Sequence, residues 1–167
     1  MKVDELIKLK NQMIFIFLAI LSANNVLADN TAIATESKFN AALAEQLGAD
    51  DYGMRSYVMV ILNTGPNDAR ITDKEKRAEL FKGHFSNMSR LAEEGKLVLA
   101  GPFVEGKPKR GLLIFNVKAI EDAEALIKTD PAVEAGIFVY DMTKFYGSAA
   151  LMQVGKIHKT IQKNTIE

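Results

Sequence analysis

Cysteine is absent from the 167 residues, which excludes thiolate catalysis, disulfide bridges, iron–sulfur clusters and cysteine zinc sites. Histidine is almost absent. His84 and His158 are the two present, too far apart to suggest a metal set, and no His-Glu-x-x-His run occurs. There is no Gly-x-Ser-x-Gly elbow and no glycine loop built to cradle a phosphate. Neither charge sign is in excess, with 21 basic and 21 acidic residues. Binding to nucleic acid or an anionic lipid surface calls for a basic surplus gathered on one face, so neither partner is expected. The apolar run Met13 to Leu21 (MIFIFLAIL) is shorter than the ~20 residues that a bilayer span needs.

That run has the setting of a secretory leader. Lys2, Lys8 and Lys10 precede it, diluted by Asp4 and Glu5, and Val26-Leu27-Ala28 supplies small residues at the cleavage positions. The expectation is a signal peptide over residues 1–28, cleaved after Ala28, and a mature protein that is periplasmic or secreted, with no membrane contact after cleavage. A retained amphipathic N-terminal helix is the alternative. Cleavage removes three Lys, one Asp and one Glu, leaving 18 basic and 19 acidic residues and a net charge of −1. The mature length fits one domain, and 48% hydrophobic residues in the whole chain suffice for a core without staples.

Beyond the leader, residues 29–53 read as a polar lead-in and a short helix, with Phe39, Ala42, Leu43 and Leu47 at helical spacing and Gly48 ending it. Met54 to Leu62 (MRSYVMVIL) is a continuously apolar, β-rich run, expected as a strand buried on both faces. Thr72 and Glu75 suggest a capping box for a helix whose stripe is Leu80, Phe81, His84, Phe85, Met88, Leu91 and Ala92, with Gly95 just past its end. Lys96 to Phe103 and Arg110 to Val117 predict an antiparallel hairpin, Ile120 to Ile127 a second amphipathic helix, and Gly136 to Met142 a fourth strand. The order β-α-β-β-α-β is that of an α+β, ferredoxin-like domain over residues 54–146, with both helices on one face of an antiparallel sheet. Its other face has no polar side to offer to water, so a homodimer packed sheet on sheet is expected. Residues 147–167 predict a helical tail, amphipathic over Ser148 to Gln162 and more in keeping with packing than with a membrane surface.

His84 stands out because Leu80 and Met88 flank it at i−4 and i+4, placing it on the core side of its helix. A buried imidazole needs a partner for each ring nitrogen. Asp130, just after the second helix, falls near it in this fold, and a carboxylate there would fix the tautomer and leave the other nitrogen as a general base. The competing readings are a core histidine satisfied by backbone and an aspartate that merely shapes the exit Thr129-Asp130-Pro131. The segments Gly95 to Phe103 (GKLVLAGPF) and Asp130 to Val139 (DPAVEAGIFV), with His84 ahead of them, resemble the YCII-related (YciI-like) family. The resemblance covers roughly Arg55 to Tyr146. It implies a dimeric α+β barrel and a catalytic pair made of His84 and Asp130.

Tyr57, Phe103 and Tyr146 are candidates for an aromatic substrate wall, although aromatic residues on strands usually serve a core. Arg110, opening the third strand, could clamp a substrate carboxylate, although a lone arginine at a loop edge is usually solvated. No metal or cofactor is expected, and nothing marks a haem ligand. The leading expectation is a small-molecule enzyme in which His84, oriented by Asp130, removes a proton in an elimination or isomerisation. The resemblance implies as much, since some relatives are dehydrochlorinases acting on hydroxylated aromatics. The rivals are a non-catalytic, dimeric small-ligand-binding or stress-associated protein and a cofactor-free, monooxygenase-like barrel.

Overall fold

The computed structural model describes residues 38–164. The expected signal peptide over residues 1–28 lies outside the described residues, as does the start of the lead-in. A short helix, α1 (Ala41–Leu47), begins at Asn40, whose side chain accepts the Leu43 N–H, and stops at Gly48 in the left-handed region. Arg55 donates to the Leu47 carbonyl at 2.5 Å and to Asn116 Oδ1 at 2.6 Å, which ties the end of α1 to the sheet.

The sheet has four strands: β1 (Met54–Thr64), β2 (Leu97–Pro102), β3 (Lys109–Phe115) and β4 (Phe138–Ser148). They lie in the order β2-β3-β1-β4, and every neighbouring pair is antiparallel. With α2 (Lys74–Glu93) between β1 and β2, and α3 (Ile120–Ile127) between β3 and β4, this is the ferredoxin-like α+β arrangement. Alternation along β1 sends Val58, Val60 and Leu62 to the helix side, where they pack with Leu91, Ala123, Ile127, Phe115 and Phe138 in the main core. A one-turn helix, α4 (Pro131–Glu134), follows α3 and was not visible as a pattern, because four residues are too few to show a period.

The ends of β1, β2 and β3 and the start of β4 fall one or two residues from where the sequence predicts, and two further boundaries differ for an identifiable reason. The N-cap of α2 is Asp73 rather than Thr72, with Asp73 accepting the Lys76 N–H at 2.7 Å. The backbone reaches helical geometry one residue later because residues 67–71 are still occupied by turn hydrogen bonds. β4 continues past Met142 to Ser148 and pairs with the whole of β1, from Thr64↔Phe138 to Met54↔Ser148. Thr143 and Lys144 are exposed on this edge strand, so backbone pairing rather than an apolar pattern sustains it. In α2, Ala92 is exposed, whereas Leu91 and His84 are buried.

The far face of the sheet carries a second cluster of Tyr57, Val98 and Ile114. Its cover comes from within the chain: Phe145, Leu151 and Met152 pack on it. The tail that supplies the last two is a 3₁₀ turn (Ala149–Gln153) followed by α5 (Val154–Ile161), not the single helix expected. Met59, Ile61 and Leu112 on the same face remain partly exposed.

Candidate active site

α2 carries His84 inward, and α4 brings Asp130 to meet it: His84 Nδ1 and Asp130 Oδ2 are 2.5 Å apart. The two side chains come from positions 46 residues apart and are 8% and 1% exposed, so the contact is shielded from water. Asp130 serves two purposes with its two oxygens. Oδ1 accepts the Ala132 N–H at 2.9 Å and caps α4, with Pro131 at the first helical position. Oδ2 is left for the imidazole. A carboxylate only accepts, so the proton of a neutral His84 is assigned to Nδ1, and the lone pair sits on Nε2. Nε2 has no hydrogen-bond partner among the described residues, and none of their buried side-chain nitrogens or oxygens is left unpartnered. The free nitrogen therefore keeps an outlet through the small exposed part of the ring.

Three phenyl rings wall the imidazole. Phe138 lies 5.3 Å away and Phe85 5.4 Å away, both tilted, and Phe81 presents an edge at 6.3 Å. Such walls lower the local dielectric and strengthen charge interactions beside Nε2. The close approach of α2 to α4 depends on Gly83. A Cβ at that position would lie 2.9 Å from Pro131 Cγ, next to the very residue that bonds to His84. A mid-helix glycine costs about 1 kcal/mol relative to alanine, and here it makes room for the Asp130-Pro131 turn.

A second polar centre, built on a residue that sequence reasoning did not single out, is joined by Arg77, one helical turn before Phe81. Asp68, in the β1–α2 loop, has a side chain only 4% exposed and meets three cations: Arg77 at 2.5 Å, Lys107 at 3.1 Å and Arg110 at 3.3 Å. The Arg77 hydrogen bond, reinforced by Lys107 and Arg110 against the cost of burial, holds the Asp68 carboxyl down at about 2, from an ordinary 3.8. A depressed carboxyl stabilises the fold above its unfolded value and ceases to do so as pH falls from about 3.8 to about 2. The shift corresponds to about 2 kcal/mol. Urea melts of wild type and Asp68→Asn should therefore differ by about that much at pH 6 and converge near pH 2. A difference that persists at the acid end would mean that the cations do not act through this carboxylate.

The other expected site residues are dispersed. Tyr57 lies in the far-face cluster, on the side of the sheet away from His84, where its hydroxyl donates to the Ser148 carbonyl at 3.0 Å. Tyr146 is exposed at the other end of β4, eight residues beyond Phe138 and so about 26 Å along the strand, with its hydroxyl donating to Asp50. Phe103 is half-buried beside the β2–β3 turn, its N–H bonded to the Arg110 carbonyl. An aromatic wall does surround His84, but it consists of Phe81, Phe85 and Phe138. Arg110 alone of the four reaches it, stacked over Phe138 at 5.4 Å. No group of three or more metal-ligating side chains occurs among the described residues.

The model of the YCII-related domain matches residues 56–146, more than half of the chain. The protein belongs to the YCII-related domain family. No curated protein sequence matches it. A solved structure similar in fold is 5-chloro-2-hydroxyhydroquinone dehydrochlorinase (TftG) from Burkholderia phenoliruptrix AC1100, in complex with 2,5-dihydroxybenzoquinone. It shares 14% identity at a TM-score of 0.42, over 53% of this chain and 92% of that one. Within this YCII-related domain, sequence reasoning missed Gly83, the place of Phe138 in the wall around His84, and Asp68 with its partners Arg77 and Lys107. A glycine inside an otherwise amphipathic helix was the available signal for the first. The partners of Asp68 lie 9, 39 and 42 positions away, and no local pattern marks it.

Proposed function

We propose that the protein is a small-molecule enzyme of the elimination or isomerisation type, with His84 as general base and Asp130 as the residue that orients it. The observation that supports this most is the 2.5 Å contact at Nδ1, which leaves Nε2 as the acceptor among phenyl rings. In an elimination, Nε2 takes the proton from an activated carbon, the C–H electron pair becomes a C=C bond, and the leaving group departs with its own pair. In an isomerisation, the imidazolium returns the proton at a different carbon. The charge formed on the ring faces the Asp130 carboxylate, which stabilises it where it develops.

Turnover of chlorinated hydroquinones and of unsaturated lactones, followed in deuterium oxide, tests this. A lactone deuterated at the carbon that loses its proton should isomerise several-fold more slowly than its protiated form, whereas a chlorinated hydroquinone, whose labile protons are on its hydroxyls, should release chloride with a solvent isotope effect. Turnover that requires oxygen would support a monooxygenase-like reaction instead. The non-catalytic reading draws on an open groove of about 620 Å³ beside the site, lined by Pro66, Lys128, Glu134, Phe138 and Tyr140, without His84 or Asp130 in its walls. Binding of those compounds without any chemical change would favour it.

The same proposal has the mature protein exported and acting as a homodimer. Met59, Ile61 and Leu112 form the part of the far sheet face that the tail leaves partly exposed, and apolar surface of that kind favours association. Sedimentation should give twice the protomer mass for wild type and a monomer of unchanged circular dichroism for Ile61→Lys. A wild-type monomer at micromolar concentration would remove the dimer.

A further inference from the structure

Three cations converge on Asp68, and one carboxylate neutralises only one of them. Arg77 comes from α2, Lys107 from the β2–β3 loop and Arg110 from β3, so three separate segments bring positive charge to one point. Holding like charges together in partly buried surroundings is unfavourable unless anionic charge matches them. Among the described residues, none of these three has another acidic side chain within ion-pair distance.

The placement gives the surplus a direction. Arg77 and Arg110 each place a guanidinium over a different ring, Phe81 at 5.2 Å and Phe138 at 5.4 Å. Those are two of the three rings that wall His84. Arg110 spends one N–H on Asp68, in a contact of 3.3 Å, and makes no other side-chain hydrogen bond among the described residues. A guanidinium has five donors, so Arg110 has most of its fork free. Its side chain is 22% exposed, enough to meet a ligand without being fully hydrated.

We infer that Arg110 and Lys107, held in place by Asp68 and Arg77, form an anion subsite next to His84, and that the substrate is a small planar molecule carrying one anionic oxygen group. The phenyl rings take its apolar plane and the cationic edge takes its charge. A charged oxygen gains two charge-assisted hydrogen bonds there that a neutral analogue lacks. This names the substrate class of the site proposed above and so rests on that reading, but its test measures binding and not turnover.

The test is an NMR titration of the full-length protein with benzoate and, separately, with its neutral counterpart benzamide. Benzoate should bind at least about tenfold more tightly, shift the resonances of Arg110, Phe138 and His84, and weaken as salt is added. Arg110→Gln should remove about tenfold of that preference. Lys107→Gln alters a side chain that is 66% exposed, so the fold should persist, and it should remove about threefold. Both variants should leave benzamide unchanged. Equal binding of the two probes, no binding of benzoate, or a preference untouched by both variants would overturn the subsite. His84→Gln should still bind benzoate, so a failure of the base chemistry and a failure of the subsite are told apart.

Discussion

Replacing His84 with Gln is expected to lower turnover by ~10² or more while the fold persists, because loss of a general base costs that much. The glutamine amide can donate to Asp130 Oδ2, so the buried carboxylate keeps a partner, but its carbonyl cannot take a proton from carbon. Asp130→Asn attacks the same step from the other side. An asparagine has one acceptor oxygen where the aspartate has two, and both of these are in use, on the Ala132 N–H and on His84 Nδ1. If the amide oxygen caps α4, its NH₂ group faces Nδ1 and drives the imidazole proton onto Nε2, which abolishes the base. If it serves the histidine, α4 loses its cap. Steady-state kinetics should show kcat falling in both variants, with KM moving little. An unchanged kcat in His84→Gln would take the imidazole out of the mechanism.

Asp130→Ala is expected to destabilise the protein by ~2–4 kcal/mol, because a buried donor left without its acceptor costs ~1–3 kcal/mol and a lost helix cap adds to that. The loss has two sources: an imidazole N–H left without its acceptor in a phenyl-lined site, and the cap of α4, which alone amounts to about 1 kcal/mol. A typical domain is stable by about 5–15 kcal/mol, so the variant should melt far below wild type in urea. Asp130→Asn should retain part of the difference. A loss for Asp130→Ala no larger than that of a surface cap would mean that the pair adds nothing to stability.

Where the chain folds by periodic burial, its architecture was legible. The apolar run at Met54–Leu62, the stripe from Leu80 to Leu91 and the Ile120–Ile127 pattern each became the expected element. What escaped had other causes. The end of β4 is held by its ladder to β1, and its side chains give no steady alternation. The one-turn helix α4 is set by Asp130 and Pro131, residues that read equally well as a helix exit. In the site, His84 and Asp130 could be paired in advance because the topology lays both helices on one face of the sheet, with His84 midway along α2 and Asp130 just past the end of α3. Tyr57 and Tyr146 misled because strand parity and distance along the sheet, not residue type, decide what shares a pocket. Asp68 shows the opposite limit: its role exists only in three dimensions, between loops that no short spacing connects.

Gly83 closes off a familiar route to a tougher protein. Filling a mid-helix glycine with alanine ordinarily stiffens a helix and raises its melting point. Here the added methyl would push against the ring of Pro131 and pry apart the two elements that hold imidazole and carboxylate together. The residue that costs that helix stability is also the one that lets imidazole and carboxylate meet, so sturdiness has to be sought elsewhere in the molecule.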